Sequence, residues 1–386
     1  MQLLRRGDSG PAVEEIRTRL RQLGLLPAAE PGVPVGHVFD DETDQAIRVF
    51  QQGRGLITDG IVGPDTARAL REACWSLGDR LLSFTLSTPT TGDDVAMLQE
   101  RLMELGYDPG RPHGLFDQQT EQALMRFQRD YGMVPDGVCG PETLRALRQL
   151  GRKVTGGRPH LLREQELLRR SGPRMRGKRI VIDPGHGGTD HGVEIGEVTE
   201  AGLMWDLARR LVGRMSATGM EALLSRPETG NPPDAERAQF ANDVGADLVV
   251  SLHTDASFSP HAQGLATYYF GNGSGTTSNV GEALAGLIQR ELLTRTPMVD
   301  CHSQPCTWEL VRRTRMPAVR VEVGYITNLG DRRKLLDPAF RDVVAEGILV
   351  AVKRLYLLGQ DDQPTGTFTF NDVLAREYGR DEIRAV

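Results

Sequence analysis

The first half of the chain carries apolar residues at helical spacing in two separate places. Val13, Ile16 and Leu20 lie at positions i, i+3 and i+7, and Gly24 follows them. This spacing puts the three side chains on one face of a helix, and glycine commonly ends a helix. The same arrangement returns in a second segment, Val95–Gly106. Two amphipathic helices are therefore predicted, each packing one face against a core.

The similarity extends beyond these two helices. Residues 39–70 share a series of identities with residues 116–147, at a constant offset of 77 residues. The first helices are 82 residues apart, which places an insertion of five residues in the Pro- and Gly-rich segment 27–36. Asp-Gly and Gly-Pro pairs in each copy predict a turn and a further short helix. The repeat predicts two small all-α modules of three helices each, at residues 1–75 and 83–150.

The second half of the chain alternates short apolar runs with helical segments. The runs are rich in Val, Ile and Leu, which is typical of strands buried in a parallel sheet. The predicted strands are Arg179–Asp183, Met220–Ser225, Asp247–Leu252, Leu265–Phe270 and Ala318–Val323. These elements predict an α/β domain at residues 179–358, with a mostly parallel sheet and flanking helices.

Four polar residues lie where the predicted elements begin or end. His186 and His253 each follow a strand, Glu322 lies near the end of another, and Glu200 stands just before a helix. Ligands bind beyond the carboxyl ends of strands in open α/β sheets, so these side chains can converge. Two His and one carboxylate are a donor set of catalytic zinc, and a further carboxylate can act as general base and acid. The pattern predicts zinc at His186, Glu200 and His253, with Glu322 as the catalytic residue in hydrolysis of an amide.

Other assignments remain open for these residues. Glu200 is favoured as the ligand because leucines follow it at helical spacing, but Glu194 and Glu197 are alternatives. A lone histidine after a strand is more often a loop or core residue than a ligand. Glu322 can instead form an ion pair on its strand. The partners considered for that ion pair are Arg320 and Arg237.

Residues 179–357 resemble the zinc N-acetylmuramoyl-L-alanine amidases of the AmiC and CwlV type, the Amidase_3 family. The motifs that carry the resemblance are Ile182–Gly188, Glu200 at the head of a helix, Ser251–His253 and Val321–Asn328. The resemblance implies that His186, Glu200 and His253 bind zinc and that Glu322 is catalytic. It also implies the bond that is cleaved, the amide between the muramoyl lactyl group and L-alanine.

Two further residues are expected beside the metal. Asn328 closes the last of these motifs. Asp255 departs from the family pattern, in which asparagine is common two residues after the second histidine. A carboxylate at this position adds negative charge and removes an amide donor. We expect Asp255 to affect the catalytic rate more than metal binding.

Both modules resemble the PG_binding_1 family of peptidoglycan-binding modules. The resemblance implies that they bind glycan-peptide on a surface beside their turns. The candidate ligand-binding residues are Gln51, Asp59, Gln128 and Asp136. The Asp-Gly pairs are also turn formers in their own right, and the shared Phe and Leu positions are core positions.

A basic segment, residues 151–178, separates the modules from the α/β domain. Together with Arg179 it holds eight Arg and two Lys against two Glu. We expect a solvated linker with a short helix within His160–Arg170; the alternative is a surface for an anionic partner. The whole chain has a net charge of −6 and no nucleic-acid-binding motif, so nucleic acid is not expected as a partner.

The sequence shows no secretion or membrane signal. No apolar segment follows Met1–Gly7, and no apolar run reaches the length of about 18 residues that spans a bilayer. Four cysteines are too few for a disulfide framework, and Cys301 and Cys306 are interpreted as loop thiols. These features predict a cytoplasmic protein without a membrane span.

Two modules, an amidase-like domain and no signal peptide together resemble the CwlM-type subgroup of the family. That resemblance implies a cytoplasmic regulator of peptidoglycan precursor synthesis, controlled by a Ser/Thr kinase. Its expected partners include UDP-N-acetylglucosamine enolpyruvyl transferase and envelope proteins. Two functions are therefore carried forward: a zinc amidase acting on peptidoglycan fragments or precursors, and a regulator with little or no amidase activity.

The C-terminal tail, residues 359–386, is polar. A short helix is predicted at Val373–Tyr378, capped by Asn371 or Asp372. The tail is interpreted either as a frayed terminus or as a docking peptide that is phosphorylated on threonine. The candidate phosphorylation sites are Thr365, Thr367 and Thr369.

Overall fold

The computed structural model describes residues 3–27, 36–150, 159–272, 276–360 and 363–378. Its contacts divide the chain into two units. The first comprises residues 1–162 with 272–276, and the second comprises residues 163–271 with 277–386. Most of the insertion predicted in segment 27–36 lies outside the described residues.

Each copy of the repeat in the first unit folds into three helices. The helices are α1 Pro11–Gln22, α2 Asp41–Gly53 and α3 Pro64–Ala73, then α4 Asp93–Glu104, α5 Gln118–Tyr131 and α6 Pro141–Gln149. Asp40 and Asp117 cap α2 and α5 by accepting backbone N–H groups, and a proline begins α3 and α6. Gly24 and Gly106 follow α1 and α4 with φ of 71° and 93°, which glycine adopts at low cost. The predicted all-α character of both modules is confirmed.

A six-stranded sheet forms the centre of the second unit. Its strands are β1 Arg179–Pro184, β4 Glu221–Leu224, β5 Leu248–Asp255, β6 Leu265–Phe270, β7 Asp300–Cys306 and β8 Ala318–Tyr325. Their order is β4-β1-β5-β8-β6-β7, and every neighbouring pair is parallel except β6 with β8. A small hairpin, β2 Glu194–Ile195 with β3 Val198–Thr199, follows β1. The predicted mostly parallel sheet is confirmed.

Helices cover both faces of the sheet. They are α7 Pro159–Ser171, α8 Glu200–Ala217, α9 Asp234–Asp243, α10 Asn279–Arg295, α11 Glu309–Arg313, α12 Leu329–Leu336, α13 Pro338–Leu357 and α14 Phe370–Tyr378. Ile180 and Ile182 belong to the large core beneath α8, α10 and α13, whereas Val181 belongs to a smaller core beneath α9 and α11. Among the described residues, no helix combines the length and hydrophobicity needed to cross a bilayer.

Strand β7 corrects the interpretation of Cys301 and Cys306 as loop thiols. Both lie on this strand, at the end of the sheet, and both are free cysteines. The segment lacks an apolar alternation and contains Pro305, which edge strands tolerate because one side needs no ladder hydrogen bonds. The pattern that predicts buried strands therefore does not detect it.

Residues 163–178, expected as a solvated linker with a short helix, do contain a helix, most of α7, but a few of their side chains pack within the second unit while many others are exposed. Met175 is fully buried in the large core, and Leu168 packs against it. The carboxylate of Glu164 accepts hydrogen bonds from Ser278 Oγ at 2.6 Å and from the Val280 N–H at 3.0 Å, at the start of α10. Residues 151–158 lie outside the described part of the chain.

The frayed-terminus interpretation is wrong for residues 363–378, because this part of the tail is packed. Phe368 and Val373 are 1% and 0% exposed. Glu377 forms a buried ion pair with Lys353 at 2.5 Å. Helix α14 begins at Phe370 rather than Val373, because Thr369 and Asp372 exchange hydrogen bonds at its start.

Candidate metal centre

Polar side chains replace apolar ones on one face of the sheet, at the carboxyl ends of its central strands. Asp183 in β1, Ser251 in β5 and Arg320 in β8 lie side by side in register, and His253 and Glu322 form the next pair. Two residues earlier in each of these strands, the side chains on the same face are apolar and line the smaller core: Val181, Val249 and Ala318. These polar side chains thus lie at the edge of the sheet where α/β proteins bind ligands.

His186, Glu200 and His253 converge at this edge. One potential ligand atom from each lies within 4.8 Å of the others. Glu200 Oε2 is 3.3 Å from His186 Nε2, and its Oε1 is 3.1 Å from His253 Nδ1. Glu200 is the first residue of α8 and is 2% exposed. The helix N-terminus favours a carboxylate there.

The turn that carries His186 is held in an uncommon conformation. His186 has φ of 57°, a left-handed value that is rare outside glycine and often found at functional sites. Arg237 donates to the carbonyl of His186 at 2.8 Å, and Arg226 donates to the carbonyls of Pro184 and Gly185 at 2.8 and 3.2 Å. The two guanidinium groups therefore fix the backbone that aims the imidazole.

Asp190 orients the ring of His186. Its Oδ2 lies 2.8 Å from His186 Nδ1, which leaves Nε2 facing Glu200. Such a partner fixes the orientation of a metal-binding histidine. Asp190 is not among the residues predicted from the sequence pattern. The signal that could have found it is its position four residues after His186 in the same loop.

The charges in this cluster suit a bound cation. Burial lowers the pKa of His253 to about 4, and the charge of Arg320 acts in the same direction, so the imidazole is neutral and able to bind metal. Burial opposes protonation of His186, yet Glu200 and Asp190 raise its pKa to about 9. Two imidazoles and one carboxylate are a donor set of catalytic zinc, and the carboxylates that favour a proton on His186 would also favour a cation there.

Glu322 lies beside the cluster, as the register partner of His253. Burial raises the pKa of Glu322 to about 7; Arg320 opposes this shift, whereas Asp255 and Glu200 add to it. The ion pair considered for Glu322 is formed with Arg320, at 2.6 Å. The alternative prediction, an ion pair of Glu322 with Arg237, is wrong, because Arg237 donates to the buried carboxylate of Asp183 at 2.9 Å.

The alternative glutamates lie outside the cluster. Glu194 is exposed on β2, with Oε1 2.5 Å from His191 Nδ1. Glu197 is exposed in the turn between β2 and β3. The geometry therefore brings Glu200, rather than either alternative, to His186 and His253.

Of the two residues expected beside the metal, Asp255 carries a negative charge that helps to raise the pKa of Glu322. The side chain of Asn328 instead caps α12, accepting the N–H groups of Gly330 and Asp331 at 2.9 and 3.1 Å. Its amide also donates to the carbonyl of Pro260 at 2.8 Å. Asn328 therefore fixes the loops around the site.

The candidate ligand-binding residues of the modules have internal partners. Gln51 is buried, donates to Asp59 at 2.8 Å and accepts the Gly60 N–H at 2.9 Å. Gln128 makes the equivalent contacts with Asp136 and Gly137 at 2.7 and 2.9 Å. In both modules these residues tie the turn to the second helix, and a role in ligand binding stays a prediction.

The threonines of the tail differ in their surroundings. Thr365 and Thr367 are exposed, and the hydroxyl of Thr367 donates to the carbonyl of Pro364 at 2.8 Å. The hydroxyl of Thr369 takes part in the cap of α14. Phosphorylation at these positions stays a prediction.

Gly192 provides a test of the cluster. A Cβ at this position would lie 2.7 Å from His186 Cδ2 and 2.8 Å from Glu200 Oε2. We expect Gly192→Ala to weaken zinc affinity by about tenfold or more, because the two side chains must move apart. Gly196→Ala is the matched control, since Gly196 has a similar φ of 64° and no atom within 4 Å of the added carbon. Chelator competition measures both affinities; equal losses would contradict the expectation.

Comparison with known proteins bears directly on this site. A family model described as N-acetylmuramoyl-L-alanine amidase matches residues 180–354, and a peptidoglycan binding domain model matches residues 9–70 and 91–147. N-acetylmuramoyl-L-alanine amidase CwlM of Mycobacterium tuberculosis is 53% identical over 383 residues, which cover 97% of this chain and 94% of that protein. The chain belongs to the N-acetylmuramoyl-L-alanine amidase family. The resemblance predicted from the motifs is confirmed.

Other amidases match a smaller part of this amidase-family chain. N-acetylmuramoyl-L-alanine amidase LytC of Bacillus subtilis is 31% identical over 172 residues, which cover 45% of this chain and 34% of LytC. The crystal structure of an N-acetylmuramoyl-L-alanine amidase from Clostridium difficile 630 aligns with a TM-score of 0.45 and 27% identity. That alignment covers 48% of this chain and 100% of the other.

Proposed function

We propose that this chain is a zinc-dependent amidase that hydrolyses the bond between the muramoyl lactyl group and L-alanine. The observation that carries the proposal is the convergence of His186, Glu200 and His253 at one edge of the sheet, with Glu322 beside them. The relative CwlM, which shares both modules and the amidase domain in one alignment, bears the name of this activity.

Each residue has a distinct role in the proposed reaction. His186, Glu200 and His253 would hold the metal, and Asp190 and Arg237 would keep His186 in place. When bound, zinc supplies a Lewis acid that polarises the scissile carbonyl and favours ionisation of water. Glu322 accepts a proton from the attacking water and then gives it to the leaving nitrogen.

The raised pKa of Glu322 suits this double role. A carboxyl group with a pKa of about 7 exchanges protons readily near neutral pH, so it can serve as base and then as acid. Burial is the main cause of the shift, and an ordinary exposed glutamate would be a weaker acid-base catalyst at that pH.

The proposal extends to substrate and partners. The two peptidoglycan binding domains support peptidoglycan fragments or precursors as the substrate. The regulatory alternative stays a prediction from resemblance. It includes the cytoplasmic location, the phosphorylated threonines, the kinase and the enolpyruvyl transferase.

A direct assay tests the proposed activity. The zinc-loaded full chain is incubated with an N-acetylmuramoyl-L-alanyl peptide, and release of the free L-alanyl peptide is followed by mass spectrometry. We expect release that stops on chelation and returns with added zinc. An intact substrate after prolonged incubation with a chain that carries stoichiometric zinc would rule the proposal out.

A further inference from the structure

The two carboxylate oxygens of Glu322 have different surroundings. Oε1 accepts a hydrogen bond from Arg320 Nε at 2.7 Å and lies 2.6 Å from Arg320 Nη2 in the same ion pair. Oε2 is buried and has no hydrogen-bond partner among the described residues. Leaving a buried carboxylate oxygen without a donor is costly. Oε2 is therefore the atom that remains to meet a group arriving with the substrate.

Arg320 is itself held from its other side. Its guanidinium carbon lies 4.3 Å from the centre of the Trp308 ring, and the Trp308 and Tyr268 ring centres are 4.7 Å apart. Tyr268 in β6 is also the register partner of Arg320 in β8. Stacking on an aromatic ring, combined with a hydrogen bond and a second close nitrogen contact to one oxygen, leaves the guanidinium little freedom.

The strand itself places the two residues together. Arg320 and Glu322 are two positions apart on β8, so their side chains leave the same face of the sheet. Two other arginines near this edge already have partners: Arg237 binds Asp183, and Arg226 binds backbone carbonyls of the turn after β1. Arg320 is therefore the cation that the structure supplies to Glu322.

We propose that Arg320 is a positioning residue that fixes the orientation of Glu322, so that Oε2 alone accepts the proton of the attacking water. The inference rests on the proposed amidase function and adds Arg320 to the residues that the reaction needs. The proton moves from water to Oε2 and then to the leaving nitrogen. Meanwhile the water oxygen bonds to the carbonyl carbon and the C–N bond breaks.

A purely electrostatic role for Arg320 makes a different prediction. Lysine keeps the positive charge but presents a single ammonium instead of a planar fork, so it cannot contact Oε1 through two nitrogens while stacking on Trp308. If Arg320 only balances charge, Arg320→Lys retains full activity. If Arg320 sets the orientation of the carboxylate, Arg320→Lys loses kcat.

The experiment compares the zinc-loaded full-length wild type with Arg320→Lys and Arg320→Leu. Arg210→Lys is the control, because Arg210 also binds carboxylates, those of Asp206 and Asp342, away from the site. We expect Arg320→Lys to lower kcat by about tenfold or more, with KM changed less than about twofold and zinc content unchanged. Arg210→Lys should keep both parameters.

A second measurement separates this proposal from the amidase proposal. Crystal structures of the wild type and of Arg320→Lys show the orientation of Glu322 whether or not turnover occurs. We expect the carboxylate to rotate in the variant. An unchanged carboxylate, or a kcat in Arg320→Lys equal to or above that of an active wild type, overturns the positioning role. An inactive wild type with a rotated carboxylate in the variant overturns the amidase function instead.

Discussion

Glu322→Gln is expected to lower kcat by about 10²- to 10⁴-fold, the usual contribution of a general acid-base residue. Glutamine has nearly the same shape but cannot accept and return a proton. Zinc content should not change, because the metal cluster consists of His186, Glu200 and His253. Kinetics on a muramoyl-L-alanyl peptide, together with metal analysis of the same samples, provide the measurement.

Glu309→Gln is the matched control for this prediction. Glu309 also pairs with an arginine, Arg313 at 2.8 Å, on α11 next to the same face of the sheet, but it is not part of the cluster. The control should keep wild-type kcat and KM. A Glu322→Gln variant that retains more than about a tenth of wild-type kcat would remove Glu322 from the catalytic role.

Truncation of the chain after Gln360 is expected to destabilise the second unit by several kcal/mol. The loss of a buried aromatic side chain such as Phe368 costs about 3–5 kcal/mol. Removal of Glu377 also breaks its buried ion pair with Lys353, which adds to the destabilisation. Denaturant unfolding of the full and truncated chains measures the difference.

Point variants show whether the packing of the tail causes this effect. Phe368→Ala should reproduce a large part of the destabilisation, whereas Thr365→Ala should have none, because Thr365 is exposed. Equal stability of the full and truncated chains would contradict the packed tail. A docking role for the tail is therefore better tested by substitutions at the exposed threonines than by deletion.

The strands and the residues of the metal cluster could be predicted because their signals are local. Val and Ile runs mark β1, β5 and β8; His186 comes two residues after β1, and His253 lies near the end of β5. The carboxyl ends of parallel strands share one edge, so strand position alone brings these residues near each other.

The contacts that complete the site depend on tertiary packing and could not be read from the pattern. Arg226 reaches back 41 residues to the carbonyl of Gly185, and neither the spacing nor the residue types indicate that contact. Gly192 matters only because His186 and Glu200 pack against it. Sequence did suggest Arg320 as a partner of Glu322, but only the structure shows that two nitrogens of Arg320 meet the same oxygen of Glu322.

Strand β7 and the packing of the tail were not predicted, for a related reason. Strand β7 is stabilised by pairing with β6, not by an apolar face of its own. The tail looks polar in sequence, yet Phe368 and Val373 are buried in the large core. Burial of a few apolar side chains in a polar segment leaves no periodic signal.

The central claim is that His186, Glu200 and His253 together hold zinc, and native mass spectrometry tests it most directly. The samples are the wild type, Glu200→Gln and the matched control Glu194→Gln, each purified with zinc and dialysed. We predict about one zinc ion per chain in the wild type and in Glu194→Gln, and a loss of most zinc in Glu200→Gln. A zinc-free wild type, or full zinc in Glu200→Gln with loss in Glu194→Gln, would contradict the account.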